Sequence, residues 1–218
     1  MFIVSCLKVK FTKKLVVFES RNKSTHFVIL CYTLFMNEIT FITSNQAKAN
    51  YLNRYLGFKV NHGKVELEEI QSLDLKQVVE HKVRQAYDII KSPVLVEDVS
   101  LVFKALGRLP GTFIKFYVDE VPFETICRTL DGLSREATAR CVFGYYDGED
   151  LEFFESSLDG LIAQYPSGDN GYGWDKIFIP KGYEITRASL SEKDDELTYL
   201  KIKPFEKLKL FLENQINK

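Results

Sequence analysis

A short apolar, β-rich run, Glu38 to Thr43 (EITFIT), gives way at Ser44-Asn45 to a segment with helical spacing. From Gln46 to Leu56 the residues Tyr51, Leu52, Tyr55 and Leu56 fall on one side, and Gly57 is a stop signal. Strand, polar turn and helix in that order narrow the fold sharply, because strands that alternate with helices form a sheet with helices packed over it. The chain continues in the same manner. Phe58 to Leu67 alternates loosely, as a second strand would, and Leu75, Val78, Val79, Ala86 and Ile89 share one face of a helix from Asp74 to Lys91. Pro93 to Val96 reads as a buried strand ending at Glu97-Asp98. Further on, Ala137 to Tyr146 and Leu151 to Ser157 form a hairpin around Asp147-Gly148-Glu149-Asp150, with another strand at Leu158 to Gln164. A glycine-rich loop follows at Pro166 to Gly173, and a last helix at Pro204 to Gln215. The expected class is α/β, with two lobes over one sheet and a cleft between them.

Charge and composition exclude several functions. Lys+Arg number 29 against 30 Asp+Glu in 218 residues, so the field expected of a sequence-blind nucleic-acid binder is missing. Hydrophobic residues make up 45%, enough for a substantial core. Cys6, Cys31, Cys127 and Cys141 form no CxxC pair and His26, His62 and His81 are scattered, which argues against structural zinc. Cys141, before Val142 and Phe143, reads as a buried small hydrophobe, and a reducing cytoplasm is the expected location. No secretory signal is recognisable at the start, and the apolar stretch within His26 to Met36 falls far short of the roughly 20 residues that span a bilayer. Residues 1–35 read as an extension upstream of a natural start at Met36, or as an extra strand or buried segment; residues 36–218 read as the functional domain.

Four features are not explained by packing alone. Lys48 lies one turn into the first helix behind Thr43-Ser44-Asn45, a helix start of the kind that attracts phosphate; the alternative is an ordinary N-cap and a solvated lysine. Lys82 falls on the buried stripe of its helix, where it must snorkel or meet an anion. Glu97-Asp98, with Glu68-Glu69 ahead of the second helix, offers carboxylates that hold Mg²⁺ or activate water, or else two solvated acidic turns. Gly171-Tyr172-Gly173-Trp174-Asp175 carries the only tryptophan, either stacked on a base or anchoring its own loop. Together they are the parts of a nucleotide phosphohydrolase.

From about Glu38 to Leu210 the chain resembles the inosine/xanthosine triphosphate pyrophosphatases. Thr43-Ser44-Asn45-Gln46-Ala47-Lys48 is similar to the family's T-G-N-x-x-K opening, with Ser44 for glycine. Val94 to Asp98 resembles its catalytic strand, Ala105 to Gly111 its A-L-G-G-x-P-G segment, Ile114-Lys115-Phe116 its aromatic-flanked lysine, and Tyr172 to Asp175 its F-G-W-D loop. The resemblance implies an elongated mixed sheet flanked by helices, a homodimer, and hydrolysis between the α- and β-phosphates with Mg²⁺, or Mn²⁺ in its place. Asp98 would be base and metal ligand, and Glu69 the second ligand. Lys48, Lys82 and Lys115 would hold phosphates beside Thr43, Ser44, Asn45 and Val99. Tyr172, Gly173, Trp174 and Asp175 would line the base pocket with Lys201. No nucleic-acid or membrane partner is expected.

The resemblance breaks near the C-terminus. Where the family has K-N-x-x-S-H-R, this chain reads Asp195 to Lys201, with Asp195 for lysine, Leu200 for histidine and Lys201 for arginine. Lys193 takes the lysine's place if the register slips by two, and Ser167 replaces the arginine of P-R-G. Base preference is therefore open. A nucleotide sensor without efficient turnover, or a pyrophosphatase for modified pyrimidines, would fit the same residues. Pyrophosphate release across a nucleotide panel separates the three.

Overall fold

The computed structural model describes residues 38–216. The expectations placed on residues 1–35, on the Met36 start and on Cys6, Cys31 and His26 lie outside these residues. Strand β1 (Thr40–Ile42) leads into helix α1 (Gln46–Leu56) and then strand β2 (Asn61–Gly63). Helix α2 (Leu75–Ile90), strand β3 (Val94–Phe103) and the short strand β4 (Pro110–Gly111) follow. Two short helices, α3 (Ile114–Glu120) and α4 (Phe123–Arg128), precede the long hairpin of β5 (Glu136–Tyr146) and β6 (Leu151–Ile162). Strand β7 (Phe178–Pro180) and helices α5 (Glu192–Ile202) and α6 (Phe205–Ile216) complete the chain.

The strands form one mixed sheet in the order β2-β1-β3-β5-β6-β7, with β4 on the free edge of β3. Pairing is parallel among β2, β1 and β3 and antiparallel from β3 onward. The chain crosses from β1 outward to β2 and then back over β1 to β3. Right-handed crossovers in opposite directions put their helices on opposite faces. The core divides accordingly: Ala49, Leu52 and Leu56 of α1 pack with Leu95, Leu101 and Phe103 on one face, while Leu75, Val79 and Val83 of α2 pack with Val94, Val96 and Val142 on the other.

Local chemistry explains the helix limits. Asn45 Oδ1 accepts from the N–H groups of Ala47 and Lys48 at the start of α1, and Gly57 closes it at φ +76°. Asp74 caps α2 by accepting from Lys76 and Gln77 N–H, and Ser92-Pro93 follows its end. Three expectations need correction. Of Phe58 to Leu67 only Asn61–Gly63 is strand. The separate strand at Leu158 to Gln164 is the continuation of β6. Ile89 is 54% exposed, and the buried stripe of α2 passes to Ile90 instead.

The largest difference lies in β3, which does not stop at Glu97-Asp98 but runs on to Phe103. It is β1 that stops: Ile42 against Val96 is its last pair. On that edge β3 next finds a neighbour at Leu101, opposite Gly111 of β4. Between these points Glu97 to Ser100 keep β5 on one side only. The sheet thus has a notch beside the C-terminal end of β1, where the crossovers diverge and α/β proteins bind ligands.

Candidate active site

A cavity of about 800 Å³ opens at this notch, a volume suited to a small-molecule ligand. It is lined by the turn Thr43-Ser44-Asn45 at the start of α1 with Lys48, by Lys115 of α3 and by the loop residues Tyr172, Gly173 and Trp174. The turn is fixed by its own chemistry. Asn45 N–H donates to Thr43 Oγ1 at 3.1 Å, and the Thr43 carbonyl lies 2.7 Å from His62 Nε2.

Because side chains alternate across a strand, Glu97 and Asp98 leave β3 on opposite faces. The notch lets both reach one cavity. On the α2 side Lys82 Nζ lies 2.7 Å from Asp98 Oδ2 and 2.5 Å from Glu69 Oε1. Asp98 Oδ1 accepts from Val99 N–H at 2.8 Å. Burial works against the Lys82 charge, but the two carboxylates outweigh it and hold the ammonium above the usual lysine range. On the α1 side Glu97 Oε1 pairs with Lys48 at 3.2 Å and with Lys203, which lies just beyond α5. Burial alone would raise the Glu97 carboxyl, yet Lys203 and Lys48 bring it down to about 2.

The expected pair Glu97-Asp98 is therefore not one ligand set. Glu97 is locked between two lysines, and it is Glu69 that joins Asp98 on a common cation. Two carboxylate oxygens that already converge on one positive group fit a hard divalent ion such as Mg²⁺, which takes one or two protein carboxylates and fills its remaining positions with water and phosphate oxygens. Among the described residues no cluster of three or more His, Cys, Asp or Glu forms a fuller metal cage.

Of the residues singled out in the sequence, Thr43, Ser44, Asn45, Lys48, Glu69, Lys82, Asp98, Val99, Lys115, Tyr172, Gly173 and Trp174 all line the cavity. Two residues do not. Lys201 is exposed on α5, away from the lining. Asp175 is buried behind its loop with both oxygens engaged. Within the loop the exposed ring is Tyr172, at 52%, while Trp174 is half-buried with its edge against Phe178. Sequence reasoning also missed Lys203, 4% exposed, and the lining carboxylates Glu66 and Asp119. A lysine just past a helix end gives no periodic signal. Its partner Glu97 is 106 residues away in the chain.

The model of the Ham1 family matches residues 39–211. The chain belongs to the Ham1 family. Among Ham1 relatives, the inosine triphosphate pyrophosphatase of Yarrowia lipolytica is 38% identical over 180 residues, covering 80% of this chain and 95% of that protein. The dITP/XTP pyrophosphatase of Thermococcus kodakarensis is 32% identical over 160 residues, covering 72% and 86%. The solved Ham1 protein of Staphylococcus aureus superposes with a TM-score of 0.68 at 23% identity, over 81% of this chain and 99% of that one. It shares the α/β fold. The described part of this Ham1 chain contains no helix long and apolar enough to cross a membrane.

The departures near the C-terminus acquire a physical context. Asp195 accepts from Arg187 Nη2 at 2.6 Å. Lys193 is exposed and is not among the residues that line the active-site cavity. Ser167 meets Ser189 through their hydroxyls at 3.1 Å.

Proposed function

We propose that the protein hydrolyses non-standard purine nucleoside triphosphates (ITP, dITP and XTP) to the nucleoside monophosphate and pyrophosphate, using Mg²⁺ or Mn²⁺. The observation that carries this reading is the convergence of Glu69 and Asp98 on one cation, in a cavity that the start of α1 and Lys48 also line. The lining charges support it. Glu66, Glu69, Glu97, Asp98 and Asp119 outnumber Lys48, Lys82 and Lys115. Such a cavity repels a bare triphosphate and accepts one that arrives with a divalent cation.

Glu69 and Asp98 would hold the metal. When bound, it supplies charge neutralisation at the phosphate oxygens and makes water a stronger nucleophile. Asp98 is also placed to take the proton from the attacking water. Oxygen bonds to the α-phosphorus, the bond to the bridging oxygen breaks, and its electron pair leaves with pyrophosphate. Lys48, Lys82, Lys115 and the positive N-terminal end of α1 stabilise the negative charge on the polyphosphate. Tyr172 and Trp174 form the wall for the base.

The same reading takes residues 36–218 as the pyrophosphatase domain and includes a cytoplasmic homodimer. The exposed apolar residues Leu109 and Phe116, at 49% and 57%, border a hollow of about 380 Å³ that a second copy would cover. The deciding experiment is product analysis over a panel of nucleoside triphosphates with and without Mg²⁺. Monophosphate and pyrophosphate from ITP or XTP, with far lower kcat/KM for ATP and GTP, is the expected result. Binding without turnover would favour the sensor, and preference for modified pyrimidines would reassign the base.

A further inference from the structure

The loop that brings Tyr172, Gly173 and Trp174 to the cavity is held from behind by a buried ion network. Asp175, 3% exposed, sits inside the loop. Its Oδ2 accepts from Tyr172 N–H at 3.0 Å. The loop wraps this carboxylate so closely that a Cβ on Gly171, whose φ is +74°, would stand 2.4 Å from Oδ2. Asp175 Oδ1 accepts from Arg187 Nη1 at 2.9 Å. Arg187 is itself 5% exposed. It donates from Nη2 to Asp195 Oδ1 at 2.6 Å and from Nε to Thr198 Oγ1 at 3.1 Å. Asp195 and Thr198 belong to α5, so one guanidinium ties the cavity loop to that helix through all three of its nitrogens.

We propose that Arg187 is a positioning residue that fixes Tyr172 and Trp174 at the cavity wall and so governs how tightly the base end of the nucleotide is held. The nucleotide part rests on the function proposed above; the hold on the loop rests on geometry alone. Arg187 is not among the residues that line the cavity and acts through Asp175. Its three fixed donors meet three acceptors, a pattern that a lysine's single nitrogen cannot reproduce. Asp195, which stands where the resembling family has lysine, belongs to this arrangement: the cation facing Asp175 comes from Arg187, and Asp195 balances it.

Trp174 is the only tryptophan in the chain, so its fluorescence reports the loop directly. In Arg187→Met and Arg187→Lys we expect red-shifted Trp174 emission and stronger acrylamide quenching without nucleotide, the Lys variant being intermediate. With ITP, KM should rise about tenfold in Arg187→Met while kcat stays within about threefold, because the chemistry at Asp98 is untouched. Far-UV circular dichroism identifies which variants fold, and the Lys variant, which keeps the charge, carries the test if the Met variant does not. Wild-type emission and quenching in a folded variant would overturn the proposal. So would a released loop with unchanged KM, or a loss confined to kcat. A wild-type protein that releases no pyrophosphate would count against the proposed function instead, and the fluorescence result would still decide the role of Arg187.

Discussion

Glu97 and Asp98 adjoin in the chain and belong to different electrostatic clusters. Asp98→Asn keeps the shape and the Val99 contact but cannot take a proton. It should lower pyrophosphate release by at least about a thousandfold, as loss of a general base and metal ligand together would, with a thermal midpoint lowered less than in Glu97→Gln because Glu69 still pairs with Lys82. Glu97→Gln should act on stability. It leaves Lys203 buried without its anion, which costs on the order of 3 kcal/mol in denaturant titrations near pH 7. The sign follows from the Glu97 carboxyl, lowered from 4.5 to about 2 in the folded state. A lowered carboxyl adds stability above its unfolded value and loses it as pH falls toward the folded one. The gap between wild type and Glu97→Gln should therefore narrow from about pH 5 to pH 2. That this acidic pair was special could be read from the chain, since a strand core rarely carries two carboxylates. Which carboxylate served which role could not, because Lys48, Lys82 and Lys203 reach them from three separate segments.

Helix α2 is the element that carries Lys82 to Asp98. Its stripe from Leu75 to Ala86 announced it, and Lys82 on that stripe was the clearest irregularity in the pattern. Less visible was what α2 rests on. It packs against β5 at Gly144, where an added Cβ would lie 2.5 Å from Val79 Cγ1. Gly144→Val should push the helix off the sheet and destabilise the protein by about 1–3 kcal/mol, the usual range for overpacking. Because the helix moves with its lysine, kcat/KM should fall as well; urea midpoints and pyrophosphate release check the two effects. Strand β3 is longer than its apolar run for a related reason. Its polar residues Glu97, Asp98 and Ser100 break the apolar run at the notch, so the pattern imitates a strand end where only the neighbouring strand ends.

Over the whole molecule, the larger hydrophobic cluster joins β1, α1, β3, β5, β6, α5 and α6. The parallel and antiparallel parts of the sheet share that core, and thermal unfolding should show one transition rather than two. A non-hydrolysable ITP analogue with Mg²⁺ at a hundred times its dissociation constant should stabilise the fold by about 2.7 kcal/mol. The upward shift in a thermal scan should disappear when a chelator removes the metal. The α/β class and the hairpin were legible from element order and the Asp147-Gly148 turn. The order of strands in the sheet was not, since it depends on pairings between residues far apart in the chain.

The break between Ile42 and Leu101 along one edge of β3 has a mechanical side. The helix layers above and below the sheet are assembled from different segments, and at this opening a single small molecule can press on side chains rooted in each. A guest lodged there would splice the two layers together, making substrate a temporary structural member of the protein that consumes it.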